Sequence, residues 1–374
     1  MTGRCSPSHP PSSRHTGSQA CSPSGGSGGS GGSSGTPSAA ASIRLNGGRA
    51  SSRLCSSRGG SSSSSSRSSS SSAEGAMTAW VEQALGTSVQ AVVQRGRSGW
   101  ARSLEVRLQG GRRLFVKLSQ GSGSAMFEGE ARGLQALAEG GALRVPQVLH
   151  WGLLPGLHGQ AAASFIVMEH LELEGEGPGA AVHQAQLGRQ LAAMHMALPK
   201  DAEAAAGRFG FPVDNTIGGT AQPNAWTEDW VEFFREQRLA HMLRLLGDSR
   251  LSQLGQQLLP RLDHFFRDIT VRPSVLHGDL WSGNIGRADG QPLVFDPATY
   301  YGHHEAEFGM SWCAGFTTAF WDAYWAVLPK QPGWEERHQL YTLYHILNHA
   351  VLFGGGYAAQ AQALMRSLIA KLPA

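Results

Sequence analysis

His277-Gly278-Asp279-Leu280-Trp281-Ser282-Gly283-Asn284 is the stretch that decides the reading of this 374-residue chain. Its spacing, H-x-D-L-x-x-x-N, is that of a phosphoryl-transfer loop, in which the Asp takes the proton of an attacking hydroxyl and the Asn holds a divalent cation. The residue types follow from the chemistry. A hard cation takes oxygen ligands, and a nucleophilic hydroxyl needs a carboxylate within hydrogen-bond reach. Asp279 is therefore expected as the catalytic proton acceptor and Asn284 as a ligand of Mg²⁺. Twelve residues further on, the apolar run Pro292-Leu293-Val294-Phe295 ends at Asp296-Pro297-Ala298. A strand delivering a lone Asp just downstream of such a loop is the pattern of a second metal ligand, which makes Asp296 the candidate.

Working upstream, the chain holds four Lys (117, 200, 330 and 371) against 27 Arg. Lys117 closes the strand-like run Leu114-Phe115-Val116-Lys117, where a compact ammonium suits nucleotide phosphates better than a guanidinium. Its carboxylate partner is expected from the helix that follows. Glu128 and Glu130 are both available, and Glu130 is preferred because Leu134 and Leu137 pack on its side. The segment Arg95 to Arg102, containing Gly99, joins the first two strands where a phosphate-cradling loop belongs. It has neither G-x-x-x-x-G-K-[ST] nor a full G-x-G-x-x-G, so an ordinary glycine turn fits equally well. Glu169, His170 and Leu171 follow the fifth strand, where a hinge offers backbone groups to adenine.

Around these residues the pattern divides in two. Thr78 to Leu85 reads as a helix, followed by strands at 89–94, 103–109 and 113–118, the last two joined by a Gly110-Gly111 hairpin turn. A helix at 125–138 carries Phe127, Ala131, Leu134 and Leu137, and strands at 147–151 and 164–169 complete this half. Helices are then expected at 183–197, 227–246 with Thr227 as N-cap, and 251–266. A β-rich interlude at 274–300 precedes helices at 311–327, 335–353 and 358–372. The expected fold is α+β and bilobal, with a small β-rich lobe at 77–171, a larger helical lobe at 172–374, and ligands in the cleft between them.

Residues 1–76 have a different composition. Ser makes up 28 of the first 72 residues, and the first acidic residue is Glu74. A Ser-rich, Arg-bearing segment with no acidic residue before position 74 cannot bury enough apolar surface to fold and has the composition of an organelle transit peptide. The scarcity of Arg beside Ser favours a plastid over a mitochondrion; a start at Met77 would leave a cytoplasmic protein. Without the 7 Arg of residues 1–73, 24 basic residues face 28 acidic ones, so the basic isoelectric point does not imply nucleic-acid binding. Cys5, Cys21 and Cys55 lie in the leader and only Cys313 in the body, which excludes a disulfide framework. No apolar run reaches the ~18 residues of a membrane span.

Substrate contacts are read from polar and aromatic residues near the loop. Trp281 can pack on a sugar or pin its own loop. Asp214 and Asn215 lie in a polar cluster between glycines, and His349 sits on the helix at 335–353. His303, His304, Glu305 and Glu307 have the spacing of a metal cluster, yet Glu307 reads better as a hydrogen-bond acceptor behind the catalytic loop.

Met126-Phe127-Glu128-Gly129-Glu130, Phe209-Gly210-Phe211 with Asp214-Asn215-Thr216-Ile217-Gly218, the loop 277–284, and Asp296 to His303 through Met310-Ser311-Trp312 together resemble the fructosamine/ketosamine-3-kinase family, most of all its plant-type members. The similarity runs from Thr78 to Leu372. It implies an aminoglycoside-phosphotransferase-like kinase fold and ATP-dependent phosphorylation of the sugar O3 of ribulosamine or fructosamine adducts on protein lysines, which then decay and restore the amine. By position it implies Asp279 as proton acceptor, Asn284 and Asp296 as Mg²⁺ ligands, Lys117 with Glu130 as phosphate clamp, and 169–171 as adenine hinge. Many family members carry a Cys in the phosphate loop where this chain has Trp100, so redox control at that loop is not implied here. The alternative is a kinase of a free small molecule such as an aminoglycoside, choline or a sugar. A catalytically dead binding module would be expected to lack Lys117, Asp279 or Asp296, and all three are present.

Overall fold

The computed structural model describes residues 65–120, 124–154, 163–175 and 180–373; the expected leader up to residue 64 lies outside the described residues. Helix α1 (Ser65–Leu85) precedes strands β1 (Val89–Arg97), β2 (Arg102–Leu108) and β3 (Arg113–Gln120), helix α2 (Ser124–Glu139), and strands β4 (Val148–Leu154) and β5 (Ala163–Glu169). The strands form one antiparallel sheet in the order β1-β2-β3-β5-β4. Alternation sorts its two faces. Leu104, Val106, Leu114, Val116, Phe165 and Val167 are buried under Met77 and Val81 of α1. Ser103 pairs with Lys117 and Glu105 with Phe115, so these four face the other way, into the cleft. There Phe127, Ala131, Leu134 and Leu137 of α2 join the main core, as their helical spacing predicts.

Helix α1 starts earlier than the expected Thr78. Its stretch before Met77 is held to the sheet by Glu74, whose carboxylate accepts from Arg102 at 3.1 Å.

The larger lobe begins with α3 (Ala180–Met196) and the short α4 (Ala202–Ala205), then a hairpin of β6 (Asn215–Ile217) and β7 (Thr220–Gln222) that the sequence pattern did not reveal. The helix expected at 227–246 is three pieces: α5 (Trp230–Phe234), a π-helical segment Arg235–Ala240, and α6 (His241–Leu246). Thr227 is not its cap. Its backbone exchanges both hydrogen bonds with Phe209, and the Asp229 carboxylate caps Glu232 N instead. The wider π turn places fully buried Arg238 against the Tyr300 ring at 4.1 Å, with its guanidinium donating to Asn224 Oδ1 at 2.7 Å.

Helix α7 (Ser249–Leu258) leads to two short two-stranded pieces built from β8 (Ser274–Leu276), β9 (Ile285–Ala288), β10 (Gln291–Val294) and β11 (Tyr300–Gly302). β9 pairs with β10 and β8 with β11. The helix expected at 311–327 is split, since 3₁₀ turns run from His304 to Cys313 and α8 spans Thr318–Val327. Helices α9 (Trp334–Phe353) and α10 (Tyr357–Ile369) close the lobe. Among the described residues, no helix is long and apolar enough to cross a membrane.

Candidate active site

The loop after β8 is anchored before any ligand is considered. Leu280 is buried, and His277 donates from Nε2 to Phe295 O at 2.9 Å while its Nδ1 accepts from Asp279 N at 3.3 Å. Those partners assign the neutral Nε2–H tautomer, and burial keeps the His277 pKa below its ordinary value. Beneath the loop, the Glu307 carboxylate accepts from His277 N at 2.7 Å and Gly278 N at 2.9 Å. It also faces His195 Nε2 at 3.2 Å, whose Nδ1 meets the Tyr324 hydroxyl at 2.8 Å. Burial would raise the Glu307 pKa, but the hydrogen bond and charge of His195 outweigh it and hold it low. Gly278 is required at its position: φ is +80°, and a Cβ would stand 2.2 Å from Ala298 O.

Five residues singled out in the sequence meet around this loop. Asn284 donates from Nδ2 to Asp279 O at 2.9 Å, and to Asp279 Oδ2 and Asp296 O at 3.3 Å each. Asp296 ends the turn after β10 with φ at +59°, one of two non-glycine residues of positive φ among the described residues. Such a conformation costs on the order of 1 kcal/mol and is kept where the local geometry has a use. Lys117 reaches from β3 to Glu130 Oε1 on α2 at 2.8 Å and also bonds Asp296 Oδ1. Glu128 turns away and pairs with Arg132 at 2.8 Å. A single network thus runs from small-lobe sheet and helix to the large-lobe loop.

Its electrostatics set a firmly charged ammonium beside a carboxyl of raised pKa. Burial would lower the Lys117 pKa, but Asp296 and Glu130 outweigh it, so the ammonium is firmly protonated. Burial, followed by the like charge of Asp296, pushes Asp279 up to about 7. Asp296 and Asn284, joined through the Asn284 amide and the Asp296 backbone oxygen, bring a carboxylate and a carboxamide as hard oxygen donors, which fit Mg²⁺ and not a soft metal. The buried trio His303, His304 and Glu305 is different, because both Glu305 oxygens are taken by Arg337 at 2.6 and 2.9 Å. That pairing leaves no free anionic ligand.

The remaining sequence candidates lie around the network. Gly99 is exposed at the tip of the β1–β2 turn. Glu169 ends β5, and its carboxylate accepts from Gln147 N at 2.9 Å. His170 lies 3.6 Å from Glu105 Oε2, with its Nδ1 buried and without a hydrogen-bond partner among the described residues; Leu171 follows, half-buried. Trp281 folds its indole back over Gly283 of its own loop. Asp214 Oδ1 accepts from Asn224 N at 2.7 Å. Asn215 is buried and occupied, donating to Thr299 O at 2.7 Å and accepting from Gln222 at 2.8 Å. His349 on α9 is packed among Trp312, Phe353 and Tyr357.

Sequence reasoning missed Glu105. It is fully buried on the cleft face of β2, receives Arg107 Nε at 2.7 Å and Arg95 Nε at 2.7 Å, and has a pKa of about 2 because those bonds overcome burial. The alternation Ser103-x-Glu105 opposite Phe115-x-Lys117 was the available signal.

A lysine–glutamate pair beneath a five-stranded sheet, facing a loop that presents Asp279, Asn284 and Asp296, defines a phosphotransferase of the protein-kinase-like fold. The fold is shared with the crystal structure of a thermostable aminoglycoside phosphotransferase mutant, at TM-score 0.54 and 16% identity over 78% of this chain and 98% of that one. The chain belongs to the fructosamine kinase family, whose model matches residues 75–371. It is 46% identical over 265 residues, 70% of its own length and 77% of the relative's, to the chloroplastic protein-ribulosamine 3-kinase of Arabidopsis thaliana. A fructosamine-3-kinase candidate of Thermobifida fusca, solved by crystallography, superposes at TM-score 0.66 with 31% identity, covering 78% of this chain and 98% of that one.

Proposed function

We propose that this protein is an ATP-dependent ketosamine 3-kinase that phosphorylates the sugar O3 of ribulosamine or fructosamine adducts on protein lysines. The observation that carries the reading is the joined network of Lys117, Glu130, Asp296, Asn284 and Asp279 in a chain 46% identical to a protein-ribulosamine 3-kinase. Asp279 accepts the proton as the O3 hydroxyl oxygen bonds to the γ-phosphorus and the bridging bond to ADP breaks. Lys117, steered by Glu130, holds the phosphates, and its bond to Asp296 is exchanged for them when nucleotide enters. Asn284 and Asp296 would hold Mg²⁺, which supplies charge neutralisation to the transferring phosphoryl group. Backbone groups at 169–171 are assigned to adenine, the β1–β2 turn with Gly99 to the phosphates, and Trp281, Asp214 and His349 to the acceptor side; Asn215 holds the wall behind it. The two lobes are taken as 77–171 and 172–374, and the Ser-rich segment before them as a plastid transit peptide, in keeping with the chloroplastic relative.

Phosphate acceptance is tested by ATP consumption against ribulose-lysine, fructose-lysine, erythrulose-lysine and an aminoglycoside panel. Turnover confined to the ketosamines is expected; turnover on aminoglycosides alone would replace this reading with the small-molecule one.

A further inference from the structure

We propose that Trp100 is a positioning residue whose indole latches the β1–β2 loop of the small lobe onto the β6–β7 turn of the large lobe, so that closure over the nucleotide and order at Asp296 are set together. The inference rests on the nucleotide site proposed above. The loop is fixed from behind. Ser98 N donates to Ala101 O at 2.8 Å, Ala101 N donates to Ser98 Oγ at 3.0 Å, and Ser119 Oγ donates to Trp100 O at 2.6 Å. Ser119 stands two residues from Lys117 on the same face of β3, so the backbone holding the indole and the phosphate-binding ammonium share one strand.

The receiving surface is shaped for the ring. Trp100 Cε3 lies 3.2 Å from where a Cβ of Gly219 would stand, and Cη2 lies 3.8 Å from that of Gly218. A larger residue at 219 would push the indole off the turn. Leu352 of α9 packs on the same two glycines, its Cδ1 being 3.1 Å from the Gly218 position. From this turn, covalent and hydrogen-bonded links reach the catalytic segment in two steps. Asn215 and Gln222, at the two ends of the hairpin, donate to Thr299 O at 2.7 Å and Ala298 O at 3.1 Å, and Ala298 N donates to His277 O at 2.9 Å. Ala298 is two residues from Asp296. Trp100 is 42% exposed, so the contact is a seat on the surface of the turn and can open to admit nucleotide.

The test compares the full chain with Trp100→Ala, Trp100→Phe, Gly219→Val and the Ala/Val double variant. Nucleotide affinity is read with a fluorescent ADP analogue, and the ratio of ATP hydrolysis to phosphoryl transfer is read with ketosamine present. Trp100→Ala is expected to weaken nucleotide binding about 5-fold, the worth of one aromatic contact, and to raise the hydrolysis ratio. Trp100→Phe should recover most of both. Gly219→Val should reproduce the loss in the parent and add nothing to Trp100→Ala, because both act on one contact. Parental affinity and ratio in Trp100→Ala, or full additivity in the double variant, would overturn the latch. If the parent transfers no phosphate to ketosamines while the affinity pattern holds, the acceptor assignment falls and the latch stands.

Discussion

Replacing Glu307 by Gln is the perturbation whose consequence can be worked most fully from the structure. The carboxylate is buried and receives two backbone donors of the catalytic loop, at 2.7 and 2.9 Å, and faces His195 at 3.2 Å. A carboxamide keeps one acceptor oxygen and turns an NH₂ toward either His277 N or Gly278 N. One buried donor is then left unsatisfied, at about 1–3 kcal/mol, and the surviving bond loses its charge assistance, about 1 kcal/mol more. A loss of about 3 kcal/mol lowers the melting temperature of a domain of this size by roughly 5 °C. The loop that carries Asp279 is displaced by the same change. At a temperature where the variant remains folded, kcat is expected to fall at least tenfold, while nucleotide affinity, which the proposed function assigns to Lys117 and Asp296, is expected to move little. Differential scanning calorimetry and steady-state kinetics on one preparation supply both numbers. A Gln variant that melts within about 1 °C of the parent with unchanged kcat would refute the anchoring role of Glu307.

Asp296→Ala is expected to abolish the gain in ATP affinity that Mg²⁺ confers; calorimetric titrations with and without the metal that give the parental difference would count against Asp296 as its ligand. Because Asp279 sits at about 7 in the free enzyme, raised first by burial and then by Asp296, kcat/KM should fall tenfold per pH unit below that value. A rate that stays flat from pH 8 to 5 would contradict a carboxylate base with this environment. The same raised pKa means the ionised carboxyl is a native-state cost that grows as pH climbs from the ordinary carboxyl range to about 7. Asp279→Asn should therefore melt higher than the parent at pH 8, with the difference shrinking toward pH 4.

The chemistry-bearing residues were legible in the sequence because they sit at fixed chain spacings. H-x-D-L-x-x-x-N and the Asp that ends the following strand are local patterns, and the structure joins Asp279, Asn284 and Asp296 as that pattern implies. Lys117 with Glu130 was readable because one lies on a strand and the other on the next helix, and Leu134 and Leu137 fix the helix face. What was not legible depends on distant pairings. Nothing local distinguishes Thr227 from Asp229 as a cap; the bridge from Thr227 to Phe209 decides it. The β6–β7 strands are three residues each and too short to show alternation. Glu105 reads as one more acidic residue until Arg95 and Arg107 are seen to converge on it. The role of Trp100 needs the other lobe.

The central claim is that the carboxylate at 279 takes the proton of a ketosamine hydroxyl while nucleotide is held independently of it. Single-turnover transfer from ATP to ribulose-lysine by Asp279→Asn, measured beside its nucleotide affinity, tests this most directly. The account predicts parental affinity with transfer slowed at least ~100-fold; near-parental transfer would contradict it.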